Sequence, residues 1–456
     1  MSAVLSKAAE AMMASRLPDA AAVSYRAPLR MADTGIDQSM LVDLASKLLL
    51  TRGRLRLLDL VEQMKLSASI IEELLQAMRQ DGLIEINRQG SSDLGLDGRL
   101  TDAGRVRAQD ALKRNRYVGP APVSLDAFTA MIRQQASQTP SINRALVLAA
   151  FSDLVIPSDL LDRLGAAMNS RRAILLYGQP GSGKSFLGHQ LSRLLPGSSY
   201  IPYAIAIGGE IVQVFDPYIH QPITAESESA QASRAGASRG DHRWVNCQRP
   251  VVVAGGELTL EMLDLRFDAT LGFYQAPPHV KALGGLFMID DLGRQLVSSR
   301  DLMNRWIVPL ERGVDYLSTH TGLKFEVPFE MTVVFSTNFV PTELADEAFL
   351  RRFGHKIHIG AVSPRDYKRL FEKACSELQV TFSIDAFEWL IVERHARLKR
   401  PMLAAYPRDL VGRVRDLALY YGQNPAMSAE TLDHAWQTYF LVNSDPDVDS
   451  NTFGVA

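Results

Sequence analysis

The chain has little of what would place it outside the cytosol. It has two cysteines in 456 residues, Cys247 and Cys375. They lie far apart, so there is neither a disulfide framework nor a metal-ligand spacing, and a reducing cytoplasm is the natural compartment. No apolar run reaches the roughly 18–20 residues that a membrane span needs. The N-terminal stretch MSAVLSKAAEAMMASRLPDA lacks the continuous apolar core of a secretory signal, and a transit peptide is the lesser alternative for it. The net charge of −2 excludes a global field that recruits nucleic acid or anionic membrane. No internal repeat is visible. With 46% hydrophobic and 22% charged residues the chain is ordinary globular material, and it is long enough for two or three domains.

Patterning divides it. Residues 1–35, rich in Ala, Met and Ser, read as a flexible arm. In 36–113, SMLVDLASKLLL, RLRLLDLVEQMKL and SASIIEELLQAMRQDG carry apolar residues at helical spacing, with Ser67 as an N-cap and Gly82 as the residue past the helix end. LIEI, a polar Gly-rich loop and the return RLTDAGRVRAQDAL follow. Three helices and a strand–loop–strand resemble a winged helix-turn-helix. RNRYVGPAPVSL, 114–125, reads as a linker, and a helical approach runs on to about 140. Residues 141–362 alternate buried strands with helices, which predicts a parallel sheet covered on both faces. Within them, 223–243 is low in apolar content and reads as a mobile surface loop. Residues 363–440 are helical, and 441–456 form a tail.

The strongest chemical signal is AILLYGQPGSGKSFLGHQL. An apolar strand, Ala173–Tyr177, feeds Gly178, Gln179, Pro180, Gly181, Ser182, Gly183, Lys184 and Ser185, and then an amphipathic helix from Phe186. Strand, Gly-rich loop and helix in this order make a phosphate cradle of inward N–H groups. Lys184 suits the β- and γ-phosphates of ATP, and the Ser185 hydroxyl suits Mg²⁺. GGLFMIDD delivers Asp290 to a strand tip, where it binds the magnesium shell, and Asp291 to the γ-phosphate side, where a base is needed. MTVVFSTNFVP ends a further strand at Thr337 and Asn338, the latter suited to holding a water. DEAFLRRFG presents Arg351 and Arg352 at a helix end, and YPRDLVGRVRDLAL opens a helix with Arg408 just after Pro407.

GQPGSGKS, LFMIDD, FSTN, LRRF and YPRDL, in this order from about residue 150 to 440, resemble the AAA+ ATPase superfamily. The resemblance implies an α/β P-loop domain with a C-terminal helical lid. It implies ATP and Mg²⁺ at Lys184 and Ser185, Asp290 and Asp291 as the second Walker pair, and Asn338 as sensor 1. Arg351 or Arg352 becomes the arginine finger and Arg408 sensor 2. It further implies a homo-oligomeric ring, usually a hexamer, that moves a protein or nucleic acid. About 100 residues separate the P-loop from Asp290, so something is inserted. Residues 265–287 look like the extra loop of the helix-2-insert branch, which includes MoxR-like chaperones, and VDYLSTHTGLKFEVPFEMTVVF looks like the β-hairpin that the branch also carries. In such a ring Phe273 and Tyr274 sit near the central pore, or else pack on the body. The signature of sigma-factor activators is absent.

The family's usual Glu is Asp291 here. One methylene less sets the carboxylate back by roughly 1–1.5 Å, and a misplacement of about 1 Å costs on the order of 100-fold in rate. Asp keeps an ionisable acceptor, so a slow but genuine ATPase is expected. Its work reads as chaperone-like remodelling of a client protein complex, with the winged helix as docking module. The alternative is a DNA-associated ATPase whose winged helix binds DNA, using the bases gathered at Arg99, Arg105, Arg107, Lys113, Arg114 and Arg116. Residues 1–125 hold 17 Lys and Arg against 15 Asp and Glu, so no net basic footprint supports it. A nucleotide-gated scaffold that barely turns ATP over is the third reading.

Overall fold

A computed structural model describes residues 26–88, 96–223 and 240–440. Residues 1–25 of the expected arm, 224–239 of the Ser/Ala/Gly-rich stretch and the tail 441–456 lie outside them. The N-terminal unit runs α1 (Gln38–Arg52), β1 (Leu55–Arg56), α2 (Leu57–Met64), α3 (Ala68–Gln80), β2 (Ile84–Arg88), β3 (Leu96–Leu100) and α4 (Asp102–Arg114). Its three strands are antiparallel in the order β1-β3-β2. Ile70, Ile71, Leu74, Leu75 and Met78 form one buried face of α3, the spacing of an amphipathic helix. Gly82 follows at φ +67°, as its place past the helix end requires. Ser67 is the N-cap residue, but its hydroxyl pairs with Ser69 and not with the backbone.

The chain continues through β4 (Val123–Ser124), α5 (Leu125–Ser137), α6 (Arg144–Ala150) and α7 (Ser158–Asn169) to β5 (Ile174–Tyr177) and α8 (Lys184–Gln190). Next come β6 (Ser198–Pro202), β7 (Ala204–Ile207), β8 (Glu210–Gln213), β9 (Trp244–Gln248), β10 (Val251–Ala254), β11 (Arg266–Asp268), β12 (Phe273–Gln275), α9 (Pro278–Lys281) and β13 (Leu286–Ile289). Then follow α10 (Ser299–Arg312), the hairpin β14 (Val314–Ser318) and β15 (Lys324–Pro328), β16 (Thr332–Thr337), α11 (Pro341–Leu344), α12 (Glu347–Leu350) and β17 (His355–His358).

The central sheet is fully parallel in the order β10-β13-β16-β5-β17. Its strands are apolar on both faces because both are covered. Leu175, Phe287, Ile289, Val333 and Phe335 enter one core, and Ile174, Leu176, Leu286, Met288, Val334 and Ile357 the other. That is the period of two expected of a strand. Each such side chain contributes about 1.5–3 kcal/mol by leaving water. The first strand, β5, lies between the last two, β16 and β17. Strand order therefore reverses at β5, and the carboxyl ends there open a crevice of the kind that holds ligands in α/β sheets.

The long stretch before Asp290 builds a second, mixed sheet, β11-β12-β8-β7-β4, beside the antiparallel pair β6-β9. This sheet decides one open expectation and corrects others. Phe273 and Tyr274 are 6% and 1% exposed and pack on the body, the second of their two expected placements. Residue 273 sits edge-on to Tyr117, and β12 is held by β8 on one side and β11 on the other. The expected linker, 114–125, is packed. Tyr117, Ala121 and Val123 are buried, Arg116 N donates to Leu271 O, and Ala121 N donates to Met64 O. Met31 and Thr34, placed in the arm, are buried as well. At the end of the expected mobile loop, Arg243 is buried. It binds Asp241 through both carboxylate oxygens and donates to Thr34 O and Pro122 O. Ala204, Ile211 and Phe273 join the core of the N-terminal unit.

The C-terminal unit packs α13 (Pro364–Leu378), α14 (Ile384–Trp389), a π-helical turn (Leu390–Ala396), α15 (Tyr406–Tyr420) and α16 (Ala429–Tyr439) around Tyr367, Phe371, Leu410, Val414 and Trp436.

Candidate nucleotide-binding site

The site begins where β5 ends. A Cβ at residue 178 would lie 2.1 Å from Ile359 O, so only Gly lets the chain pass β17 there. Gly183 stands at φ +96° as the N-cap of α8, which leaves the first N–H groups of that helix free to face an anion. Ser182, 3% exposed, has a buried hydroxyl with no hydrogen-bond partner among the described residues.

Five side chains then meet across the tips of three adjacent strands. Lys184 Nζ donates to Gln179 O at 2.9 Å and to Asn338 Oδ1 at 2.8 Å. Asn338 Nδ2 donates to Asp291 Oδ1 at 2.8 Å. Ser185 Oγ donates to Asp290 Oδ1 at 2.9 Å. Burial pushes the Lys184 ammonium below its ordinary range, against the opposing pull of Asp291 and Asp290.

Asp291 adopts φ +50°, a left-handed conformation in which Asp is tolerated better than most side chains. Its N–H donates to Asp290 Oδ1 and its carbonyl accepts from Arg294 N, so a tight turn follows β13 at once. Gln295 holds that turn. Its Nε2 donates to Asp290 O at 3.0 Å, and its Oε1 accepts from Gly293 N at 2.9 Å. Nothing in the spacing of FMIDDLGRQ separates Gln295 from an ordinary surface residue, and sequence reasoning missed it.

A cleft of about 770 Å³ lies between the α/β and helical units. Ile156, Pro157, Leu370 and Ala374 give it apolar walls, and Ser182, Gly183 and Phe186 connect it to the P-loop. Its size and mixed lining suit a small polar ligand with an apolar part. Ala405 N donates to Gly181 O at 3.0 Å and so fastens the start of α15 to the loop. Arg408 lines the cleft, 75% exposed in its side chain, with Nη1 3.8 Å from Glu377 Oε2. Arg351 and Arg352 do not line it. Arg351 is 76% exposed and pairs with Glu347 on its own helix turn. Arg352, 21% exposed, is held by Glu311 at 2.7 Å and by Ala348 O.

The donor set fits a magnesium-bound polyphosphate. The cradle offers N–H groups and an orphaned buried hydroxyl, and Ser185 with Asp290 pairs two hard oxygen ligands of the type that Mg²⁺ takes alongside water and phosphate. No group of three or more His, Cys, Asp or Glu side chains among the described residues forms a metal cage.

Residues 363–438, the helical unit, match the model of a domain of unknown function, DUF8689. No curated protein matches the chain. Solved structures similar to it include the RuvB Holliday junction branch migration motor of Thermotoga maritima, at 15% identity and TM-score 0.33, covering 72% of this chain and 73% of that one. NtrX from Brucella abortus in complex with ADP is similar at 13% identity and TM-score 0.40, covering 76% and 69%. At such TM-scores these likenesses carry no weight for the site or its chemistry. The described residues join a five-stranded parallel sheet to a helical C-terminal unit. No helix among the described residues is long and apolar enough to cross a membrane.

Proposed function

We propose that this chain is a P-loop ATPase of the AAA+ type that works as a homo-oligomeric ring and remodels a protein complex. The observation that carries the reading is the continuous chain Lys184–Asn338–Asp291 beside the pair Ser185–Asp290. In this reading Lys184 and the P-loop N–H groups bind the β- and γ-phosphates. Ser185 and Asp290 hold Mg²⁺, which screens phosphate charge when bound. Asn338 orients the attacking water and Asp291 accepts its proton. Arg351 is the better candidate for a finger into a neighbouring subunit, because Arg352 is tied to Glu311 of its own chain.

The N-terminal unit is proposed as a winged helix that docks protein. Of the six bases gathered around α4, four pair within the unit: Arg105 with Asp102, Arg107 and Arg114 with Asp43, and Lys113 with Asp110. Such pairing offsets part of the charge that a phosphate backbone would draw on. Two measurements test the proposal. Phosphate release from MgATP by the assembled wild type should exceed that of Lys184→Ala, and equal rates would refute an ATPase. Duplex DNA should not bind the full chain in a salt-dependent way, and such binding would favour the DNA-associated alternative.

A further inference from the structure

Alternating charges cross the mouth of the cleft. Arg193, which follows α8, donates from Nη1 to Asp153 Oδ1 at 2.7 Å. Lys373 of α13 donates to Asp153 O at 2.7 Å, and its Nζ lies 3.9 Å from Glu377 Oε1. The other oxygen of Glu377 lies 3.8 Å from Arg408 Nη1 on α15. Arg193, Lys373, Glu377 and Arg408 all line the cleft. The other carboxylates of the lining have nearer partners: Asp159 is paired with Arg163 at 3.2 Å, and Asp409 accepts from Tyr439 Oη at 2.8 Å. Glu377 is therefore the carboxylate that faces Arg408.

The two contacts of Glu377 are ion pairs longer than hydrogen bonds, and its side chain is 46% exposed. Pairs of this kind are weak and exchange readily. A guanidinium offered both a carboxylate and a phosphate binds either with the same fork of donors.

We propose that Glu377 is a positioning residue for the nucleotide: it parks Arg408 on the lid side of the cleft and competes with the terminal phosphate for that guanidinium. The inference rests on the ATP reading above. Removing the carboxylate frees Arg408, so triphosphate binds more tightly, by on the order of threefold for an exposed pair. Diphosphate, which lacks the terminal group, gains less. The half-exposed position makes Glu377→Gln benign for folding.

The test is calorimetric titration of the full chain, with Mg²⁺, using a non-hydrolysable ATP analogue and ADP. The proteins are wild type, Glu377→Gln, Arg408→Ala and the double variant. The expected result is that Glu377→Gln tightens the triphosphate about threefold and ADP less, and that neither changes when Arg408 is already Ala. Unchanged or weaker triphosphate binding in Glu377→Gln overturns the inference. So does equal tightening without Arg408, which would mean only that a negative charge had left the cleft. If wild type binds the nucleotides and Glu377→Gln matches it, this inference alone fails. If wild type binds neither, the ATP reading fails with it.

Discussion

Lengthening Asp291 to Glu should slow the proposed ATP turnover. Asp291 already reaches its partner, since Asn338 Nδ2 lies 2.8 Å from its Oδ1. The left-handed turn at φ +50° aims the short side chain there. An added methylene carries the carboxylate roughly 1–1.5 Å past that position. A displacement of about 1 Å at a reacting group costs on the order of 100-fold. Side-chain rotation recovers part of this, so Asp291→Glu should turn over about 10- to 100-fold more slowly. Glu also lacks the ease with which Asp occupies left-handed backbone, so stability should fall by about 1 kcal/mol. Lys184, Ser185 and the cradle are untouched, so binding of a non-hydrolysable analogue should stay within about threefold, less than 1 kcal/mol. Steady-state phosphate release, analogue titration and urea unfolding measure the three quantities. Turnover equal to or faster than wild type would show that Asp291 is merely a short Glu and that the turn does not aim it.

Other substitutions probe other parts. Arg243→Met should destabilise by about 3–5 kcal/mol in denaturant unfolding, because it strands the buried Asp241 carboxylate; a loss under 1 kcal/mol would deny the clasp its role. Burial pushes the His279 imidazole below its ordinary value, against the opposing pull of Asp315 and with a smaller push in the same direction from Arg305. The unfolded chain therefore takes up this proton first, and stability should fall as pH drops through about 6.5. In His279→Gln the slope should be shallower by up to one proton, about 1.4 kcal/mol per pH unit, and an unchanged slope would refute the assignment. Arg351→Ala should lower turnover of assembled protein by on the order of 10³-fold, as loss of an arginine finger does. Arg352→Ala should lower it far less, and the reverse ranking would exchange their roles.

The parts of the site that could be read from the sequence are those set by local spacing. Gly178 to Ser185 declare a strand, a loop and a helix within a dozen residues, and Asp290 and Asn338 each end a run of apolar residues. Those strands are neighbours in one sheet, so the side chains meet. What was hidden depends on long-range pairing. FYQ reads equally as a pore-facing loop or as a packed one until β12 pairs with β8, some sixty residues away, and buries Phe273 and Tyr274. Arg243 follows a Ser- and Gly-rich stretch whose composition says nothing of the Thr34 and Pro122 carbonyls that it binds. The Pro and Gly of 114–125 mark an irregular backbone correctly, but irregular backbone can still be buried when its N–H groups find partners such as Met64 O and Leu271 O. Arg351 and Arg352 differ in surroundings because Glu311, some forty positions earlier, holds only the second of them.

The most direct test of the central claim is the nucleotide left on the protein after incubation with MgATP, separated and quantified for wild type and Asp291→Asn. If Asp291 takes the proton from the attacking water, wild type should hold mainly ADP and the variant mainly ATP, with similar total occupancy. Equal ADP on both proteins, or no nucleotide on either, would contradict the account.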